Sequence, residues 1–343
     1  MKKLLKKLFV PLLASAPVSA IATSFLGHGI PIFMIHRIKV EGQSNSGISP
    51  DHLRRCLRYL KDKDYTFVSL EDIIGSLNNQ ITLPKKSVSF TMDDGFLEQA
   101  EIAAPIFLEF NCPLTFFIIT GLLDQILWPW DAQVSWIIDN TNKNHVVLKF
   151  EDEILNMILG NKNNRRNARE EIRNVIKEMN SESIPEIINN LADAADVQLP
   201  ITAPNPYKSL NWEMARELES KGIRFAPHSM THRILSKLNK KSAEEEIIGS
   251  WKILESELSN PLKVFCYPTG RVLDFGPREI NILKKESFIG AVATLPGSVD
   301  NNSAALLYCL PRFELPDNMT DFIQYCSWIE RANHNYLFSH SQI

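Results

Sequence analysis

The stretch Val88-Ser-Phe-Thr-Met-Asp-Asp-Gly-Phe96 places the tightest restriction on what this chain can fold into. Val88, Phe90 and Met92 alternate with Ser89 and Thr91, the period of two that marks a half-buried strand. Asp93, Asp94 and Gly95 then make poor strand chemistry and a good strand-ending turn. Successive side chains diverge at a strand end, so one carboxylate can hold a metal ion while its neighbour faces a bound water. The same residues also read as an ordinary Asp-Gly turn with two solvated acids. The rest of the chain has to decide.

Around this strand the pattern alternates. Ile30–Ile35 is a short apolar run ending in His36-Arg37, and Ser49-Pro50-Asp51 caps a helix carrying Leu53, Cys56, Leu57 and Leu60. Tyr65–Val68 reads as a strand, and Ser69 opens a helix through Leu77. Phe96–Phe110 has helical spacing and Pro113–Ile119 is strand-like. Beyond a helix from Leu210 to Lys221, strands are expected at Ile223–Ala226, Val264–Tyr267, Phe288–Thr294 and Leu306–Phe313, with helices at 236–258 and 277–285. Strands alternating with helices imply parallel strands with helical crossovers, in an open α/β sheet or an α/β barrel. Between about 122 and 206 the alternation gives way to a polar stretch that reads as a helical insertion. No internal repeat is present.

Composition narrows the partners. With 44% hydrophobic and 22% charged residues the chain is globular, and a net charge of −3 offers no basic field for nucleic acid. Cys56, Cys112, Cys266, Cys309 and Cys326 form no Cys-x-x-Cys pair, which argues against a disulfide framework or zinc knuckle, and their odd number favours a reducing compartment. The start points the other way. Lys2, Lys3, Lys6 and Lys7 precede an uncharged run from Leu8 to Gly27, with Val18-Ser19-Ala20 resembling a cleavage site. Residues 1–27 are therefore read as a secretion signal or membrane anchor, with an interfacial basic helix as the alternative. Residues 28–343 are expected to form one α/β domain that carries the insertion at about 122–206. Delivery to the cell envelope is expected, the protein being either exported after cleavage or held by the N-terminal segment as an anchor, with a cytoplasmic, membrane-associated chain as the alternative.

His228 and His232 in Pro227-His-Ser-Met-Thr-His232 lie four apart, entering a helical pattern after a strand. Residues four apart share a helix face and can reach one ion. Two His and a carboxylate leave an open metal position, and both pieces sit at strand C-termini, where α/β barrels gather their sites.

Thr-Met-Asp-Asp-Gly at 91–95, His-Ser-Met-Thr-His at 228–232 and Phe-Cys-Tyr-Pro-Thr-Gly at 265–270 together resemble the first three motifs of the polysaccharide deacetylase (NodB-homology) family. Pro31-Ile-Phe-Met-Ile-His36-Arg37 resembles the leading block of its permuted branch, which includes deacetylases of poly-N-acetylglucosamine. The similarity covers roughly 30–120 and 207–315. It implies a distorted (β/α) barrel with fewer strands than eight, and a metal-dependent hydrolase acting on an acetylated glycan of the cell envelope. On this resemblance Asp94, His228 and His232 bind the metal, usually zinc in the family, and Asp93 is the general base. Zinc lowers the pKa of a bound water to about 7. The backbone N–H of Thr269 would help hold the oxyanion, and His36 would protonate the leaving amine. A His that merely closes a buried strand is the other reading of His36.

Two departures matter. Met92 replaces the usual phenylalanine, a mild apolar exchange. Cys266 stands where many relatives carry the arginine that orients the base; Arg312 or Arg271 could supply that charge, or Arg312 could be a surface ion pair. The missing arginine keeps a glycan-binding pseudoenzyme in view, and a hydrolase of O-acetyl esters or small cyclic amides would use the same site. Trp128 and Trp130 either stack on sugar rings or pack the insertion onto the barrel, with packing favoured. Lys162–Lys177 reads as a solvated helix face.

Overall fold

The computed structural model describes residues 2–14, 16–26, 29–42, 47–150 and 153–330. Its helices are α1 (Lys2–Leu13), α2 (Ala16–Leu26), α3 (Pro50–Asp62), α4 (Leu70–Leu77), α5 (Ala104–Glu109), α6 (Thr120–Leu123), α7 (Trp130–Asn140), α8 (Lys162–Glu178), α9 (Ile184–Ala195), α10 (Trp212–Ser220), α11 (Lys240–Glu257), α12 (Pro277–Lys285) and α13 (Met319–Tyr325). The strands are β1 (Ile30–Ile35), β2 (Thr66–Phe67), β3 (Ser87–Asp94), β4 (Leu114–Ile118), β5 (His145–Phe150), β6 (Glu153–Ile158), β7 (Arg224–Pro227), β8 (Val264–Cys266), β9 (Gly290–Val292), β10 (Ser298–Val299) and β11 (Phe313–Glu314).

Parallel ladders join β1 to β3, β3 to β4 and β4 to β7. Beyond β7 the Leu262 N–H donates to Phe225 O at 2.7 Å, and β8 pairs in parallel with β9. Leu310 then bridges to Val292, and β11 returns parallel to β1. The circuit β1-β3-β4-β7-β8-β9-β11 thus comes back to its start with fewer strands than the eight of a full barrel, and isolated bonds replace ladders at two seams. Of the open sheet and the barrel that the strand and helix alternation allows, this is the barrel, in the distorted form that the family resemblance implies.

The strand β3 is buried along its whole length, not half-buried. Val88, Phe90 and Met92 pack under the helices with Leu53, Leu57, Phe107 and Leu218. Ser89, Thr91 and Asp93 alternate with them and are also buried, on the interior side where Thr91 meets Arg312. The period-two signal was real, but the polar positions face the barrel interior rather than water. Helix starts follow their caps: Ser49 Oγ accepts from His52 N–H ahead of Pro50, and Ser69 and Asp72 close a reciprocal capping box.

Three expectations change. The insertion is not purely helical, because β5 and β6 form an antiparallel hairpin whose alternate residues Val146, Leu148 and Phe150 join α7, α8 and α9 in a separate apolar core. The stretch Leu306–Phe313 is not a continuous strand. Pro311 has no N–H, the Arg312 N–H goes to Leu295 O, and only Phe313–Glu314 pairs with β1. The helix expected from 236 begins at Lys240, where Asn239 caps the Ser242 N–H. At the N-terminus, α1 packs against α13: Lys6 pairs with Asp321 at 2.6 Å and Trp328 Nε1 donates to Leu13 O at 3.0 Å. No helix among the described residues is long and apolar enough to cross a membrane.

Candidate active site

Four strand ends build the site. β3 delivers Asp93 and Asp94, β7 runs into His228, β8 ends at Cys266, and β1 stops just before His36. Asp94 sits at φ +80°, a left-handed conformation that swings its carboxylate away from that of Asp93. The carboxylates diverge as the sequence implied, with a backbone bend as the cause.

Asp94 Oδ1 lies 3.6 Å from Nε2 of both His228 and His232, and the three donor atoms all fall within 4.8 Å of one another. His228 Nδ1 is 2.8 Å from Cys266 O. A carbonyl only accepts, so Nδ1 carries the proton and Nε2 turns a bare lone pair toward Asp94. Burial, with His232 alongside, lowers the His228 pKa from 6.5 to about 3, which keeps the ring neutral as a ligand must be. Burial also pushes the Asp94 carboxyl above its usual range, only partly countered by His232 and His36. Asp94 Oδ1 and His232 Nδ1 are buried without a hydrogen-bond partner. A buried carboxylate oxygen lacking a donor is costly, and a cation among these three donors removes the cost. The donor set fits a divalent ion.

Asp93, His228 and Cys266 form an overlapping cluster whose donor atoms also lie within 4.8 Å of one another. It suits a metal less well. Burial drives the Cys266 thiol well above its usual pKa, and both oxygens of Asp93 are already taken by Arg312. Arg312, 1% exposed, donates Nη1 and Nη2 to Asp93 Oδ1 and Oδ2 at 2.7 Å each, Nη1 to Thr91 Oγ1 at 2.9 Å, Nε to Ala293 O at 3.1 Å, and Nη2 to Cys266 Sγ at 3.1 Å. It is no surface ion pair. Burial alone would raise the Asp93 carboxyl, but Arg312, assisted by His36, holds it well below the ordinary carboxylate range. Arg312 supplies the charge whose place in the third motif Cys266 occupies. Arg271 instead pairs with Asp274.

His36 Nε2 stands 3.7 Å from Asp93 Oδ2, with 37% of its side chain exposed. It is therefore both near the base and open to solvent. Thr269 lies in the turn after β8 at φ +56°, and its hydroxyl donates to Asp274. The structure thus brings Asp93, Asp94, His228, His232, His36 and Arg312 together, with Thr269 on the adjoining turn.

The two histidines do not share a helix face. Residues 228–232 are a loop, with Ser229 at φ +65° and His232 at φ +59°, and its backbone groups are held one by one. Thr120 N–H donates to Ser229 O (3.3 Å) and Gly121 N–H to Met230 O (2.9 Å). A Cβ on Gly121 would come within 2.7 Å of that Met230 oxygen, so only glycine fits. Glu246, buried on α11, accepts Met230 N–H at 2.9 Å, Thr231 N–H at 2.8 Å and the Thr231 hydroxyl. Ser229 Oγ accepts His232 N–H at 3.0 Å, and Trp130 Nε1 donates to His232 O at 3.3 Å. Trp130 and Trp128 are both buried, so they pack the insertion rather than stack on a sugar. Sequence reasoning missed Glu246 and the hydrogen-bonding role of Trp130; an acid amid an otherwise amphipathic helix, Ala243-Glu-Glu-Glu246-Ile247, was the available signal for the first. Asp131, next to Trp130, adds a carboxylate on this side: burial raises it, but His232 and Arg173 leave it below its usual pKa.

The sequence model of one family, described as polysaccharide deacetylase, matches residues 138–284. That span holds the 228–232 loop and the turn at Thr269, and it begins after Asp93 and Asp94. No curated protein matches by sequence. Among solved structures, the Streptococcus pyogenes deacetylase PplD in complex with acetate aligns with a TM-score of 0.58 at 19% identity, covering 87% of this chain and 98% of that one. IcaB from Ammonifex degensii gives 0.57 at 16% identity, covering 89% and 98%. A polysaccharide deacetylase from Bacillus cereus gives 0.53 at 16% identity, covering 87% and 69%. At these identities the likeness is one of fold.

Proposed function

We propose that this chain, whose residues 138–284 match the sequence model described as polysaccharide deacetylase, is a hydrolase of amide bonds in polysaccharides, and specifically a zinc-dependent N-deacetylase of an amino-sugar glycan of the cell envelope. The observation that carries the reading is the paired arrangement at the end of β3: Asp93 locked by Arg312 beside Asp94 aimed at two imidazole nitrogens.

Asp94, His228 and His232 would hold the ion, which when bound polarises a carbonyl and makes water acidic enough to react at neutral pH. Asp93, fixed by two bonds from Arg312, accepts the proton of the attacking water. The Arg312 pair limits the directions in which that carboxylate can point, so its lone pairs stay aimed into the site. The Thr269 backbone N–H assists the oxyanion. His36, at the solvent-open side of Asp93, donates a proton to the departing amine. The C–N bond breaks, water supplies the new C–O bond, and acetate and a free amino sugar leave.

Arg312 also bears on the pseudoenzyme alternative. That reading drew its support from the absent motif-three arginine, and an arginine from the segment leading into β11 stands against the base instead.

The test is acetate release from N-acetylglucosamine oligomers, abolished by a chelator and restored by zinc, with O-acetylated sugars run in parallel. Release from the O-acetyl sugars alone, or from neither substrate with zinc bound, defeats the proposal.

A further inference from the structure

The first 40 residues contain no acidic side chain, yet they include Lys2, Lys3, Lys6 and Lys7. Ahead of β1 they form α1 and α2, of 12 and 11 residues, each far shorter than the roughly 20 needed to span a bilayer. The helix α1 is part of the body of the protein. Val10 is buried, Lys6 is paired with Asp321 on α13, and Trp328 holds Leu13 O. The pair leaves four large apolar side chains outside: Phe9 is 52% exposed, Leu12 62%, Ile21 66% and Phe25 85%. Phe9 and Leu12 lie three apart on α1, Ile21 and Phe25 four apart on α2, so each couple occupies one helix face. Nothing in the catalytic machinery uses these side chains.

We propose that α1 and α2 form an interfacial dock for an anionic lipid bilayer, lying in the membrane surface with Phe9, Leu12, Ile21 and Phe25 inserted and lysines against the headgroups. Apolar side chains on short helices gain by entering the acyl boundary, and a lysine-rich segment with no acid of its own gains from anionic lipid. Neither helix can cross, so the catalytic domain stays on one side. Placement adds a consequence that rests on the deacetylase reading. The helix α13, which α1 grips through Asp321, also contributes Tyr325 to a cavity of about 650 Å³ lined by His36, Arg37, Glu314 and Asp317. The dock therefore adjoins, through α13, the open edge of the active site, which suits a glycan substrate attached to the membrane.

The experiment is co-sedimentation of the full chain, zinc-loaded, with vesicles of phosphatidylglycerol and phosphatidylcholine or of phosphatidylcholine alone. Binding is expected to the anionic vesicles, falling several-fold at high salt. A variant with Phe9→Ser, Leu12→Ser, Ile21→Ser and Phe25→Ser should bind at least tenfold less while releasing acetate from soluble oligomers at the wild-type rate. No wild-type binding to either vesicle, equal binding by the variant, or a cellular chain that starts downstream of Ala20 would overturn the dock. Vesicle binding without acetate release leaves the dock standing and removes the catalytic reading instead.

Discussion

Replacing Arg312 by Met tests the organisation of the site most severely. The substitution keeps the bulk of a long side chain and removes five hydrogen bonds, two of them charge-assisted bonds to Asp93 at 2.7 Å. Asp93 is then a buried carboxylate without a counter-charge, and breaking a buried pair from one side costs about 3–5 kcal/mol. With that loss the urea midpoint should fall by about 1 M or more. The sign with pH follows from the depressed carboxyl of Asp93. In the wild type its pairing contributes stability above the unfolded pKa, lost as pH falls through the folded one; in the variant, burial is opposed only by the nearby histidines, the carboxyl rises, and the acid limb of the activity profile moves to higher pH. Adding Asp93→Asn removes the uncompensated charge, so the double variant should be less destabilised than Arg312→Met alone. Urea unfolding of the wild type, both single variants and the double variant closes the cycle. If the two single losses simply add, the coupling is absent and the argument fails.

Asp94→Asn should lose zinc and activity together, whereas Asp93→Asn should retain zinc, measured by chelator competition, and lose about 10²–10⁴ in rate; equal zinc loss in both refutes the assignment. Glu246→Gln should weaken zinc binding by about 10- to 100-fold, the scale of groups that orient ligands, because one amide oxygen cannot hold the Met230 and Thr231 N–H groups and the Thr231 hydroxyl together. Trp130→Phe keeps an aromatic ring but removes the indole N–H and its bond to His232 O, and should cost about 1 kcal/mol or more in thermal unfolding. For the metal-free chain, the lowered pKa of His228 makes stability fall as pH drops from 6.5 toward about 3, since the unfolded chain takes up the proton first; a flat stability profile across that window contradicts a neutral buried ring.

Much of the site was legible because its chemistry is local in sequence. Asp93 and Asp94 announce themselves by interrupting an apolar strand, and His228 and His232 by their spacing. The means by which they meet was not legible. Four-residue spacing pointed to a helix face, but the bonds from Thr120, Gly121, Glu246 and Trp130 hold a loop instead, and all four come from outside the motif. Arg312 could be named but not placed, since 219 residues separate it from Asp93. The β5–β6 hairpin was readable in the alternation Val146, Leu148, Phe150 and was passed over because the surrounding charge suggested helix.

Asp94, Ser229, His232 and Thr269 all have positive φ, a conformation that costs residues with a Cβ about 1 kcal/mol or more each. This sets a trap for anyone evolving the protein toward heat resistance. A screen that rewards survival alone will favour glycine at these positions, relaxing the backbone while deleting ligands, the Ser229 cap and the Thr269 hydroxyl. Thermostable descendants selected without zinc would therefore drift toward inert barrels, and only a selection run with the ion bound and turnover scored would keep the bends.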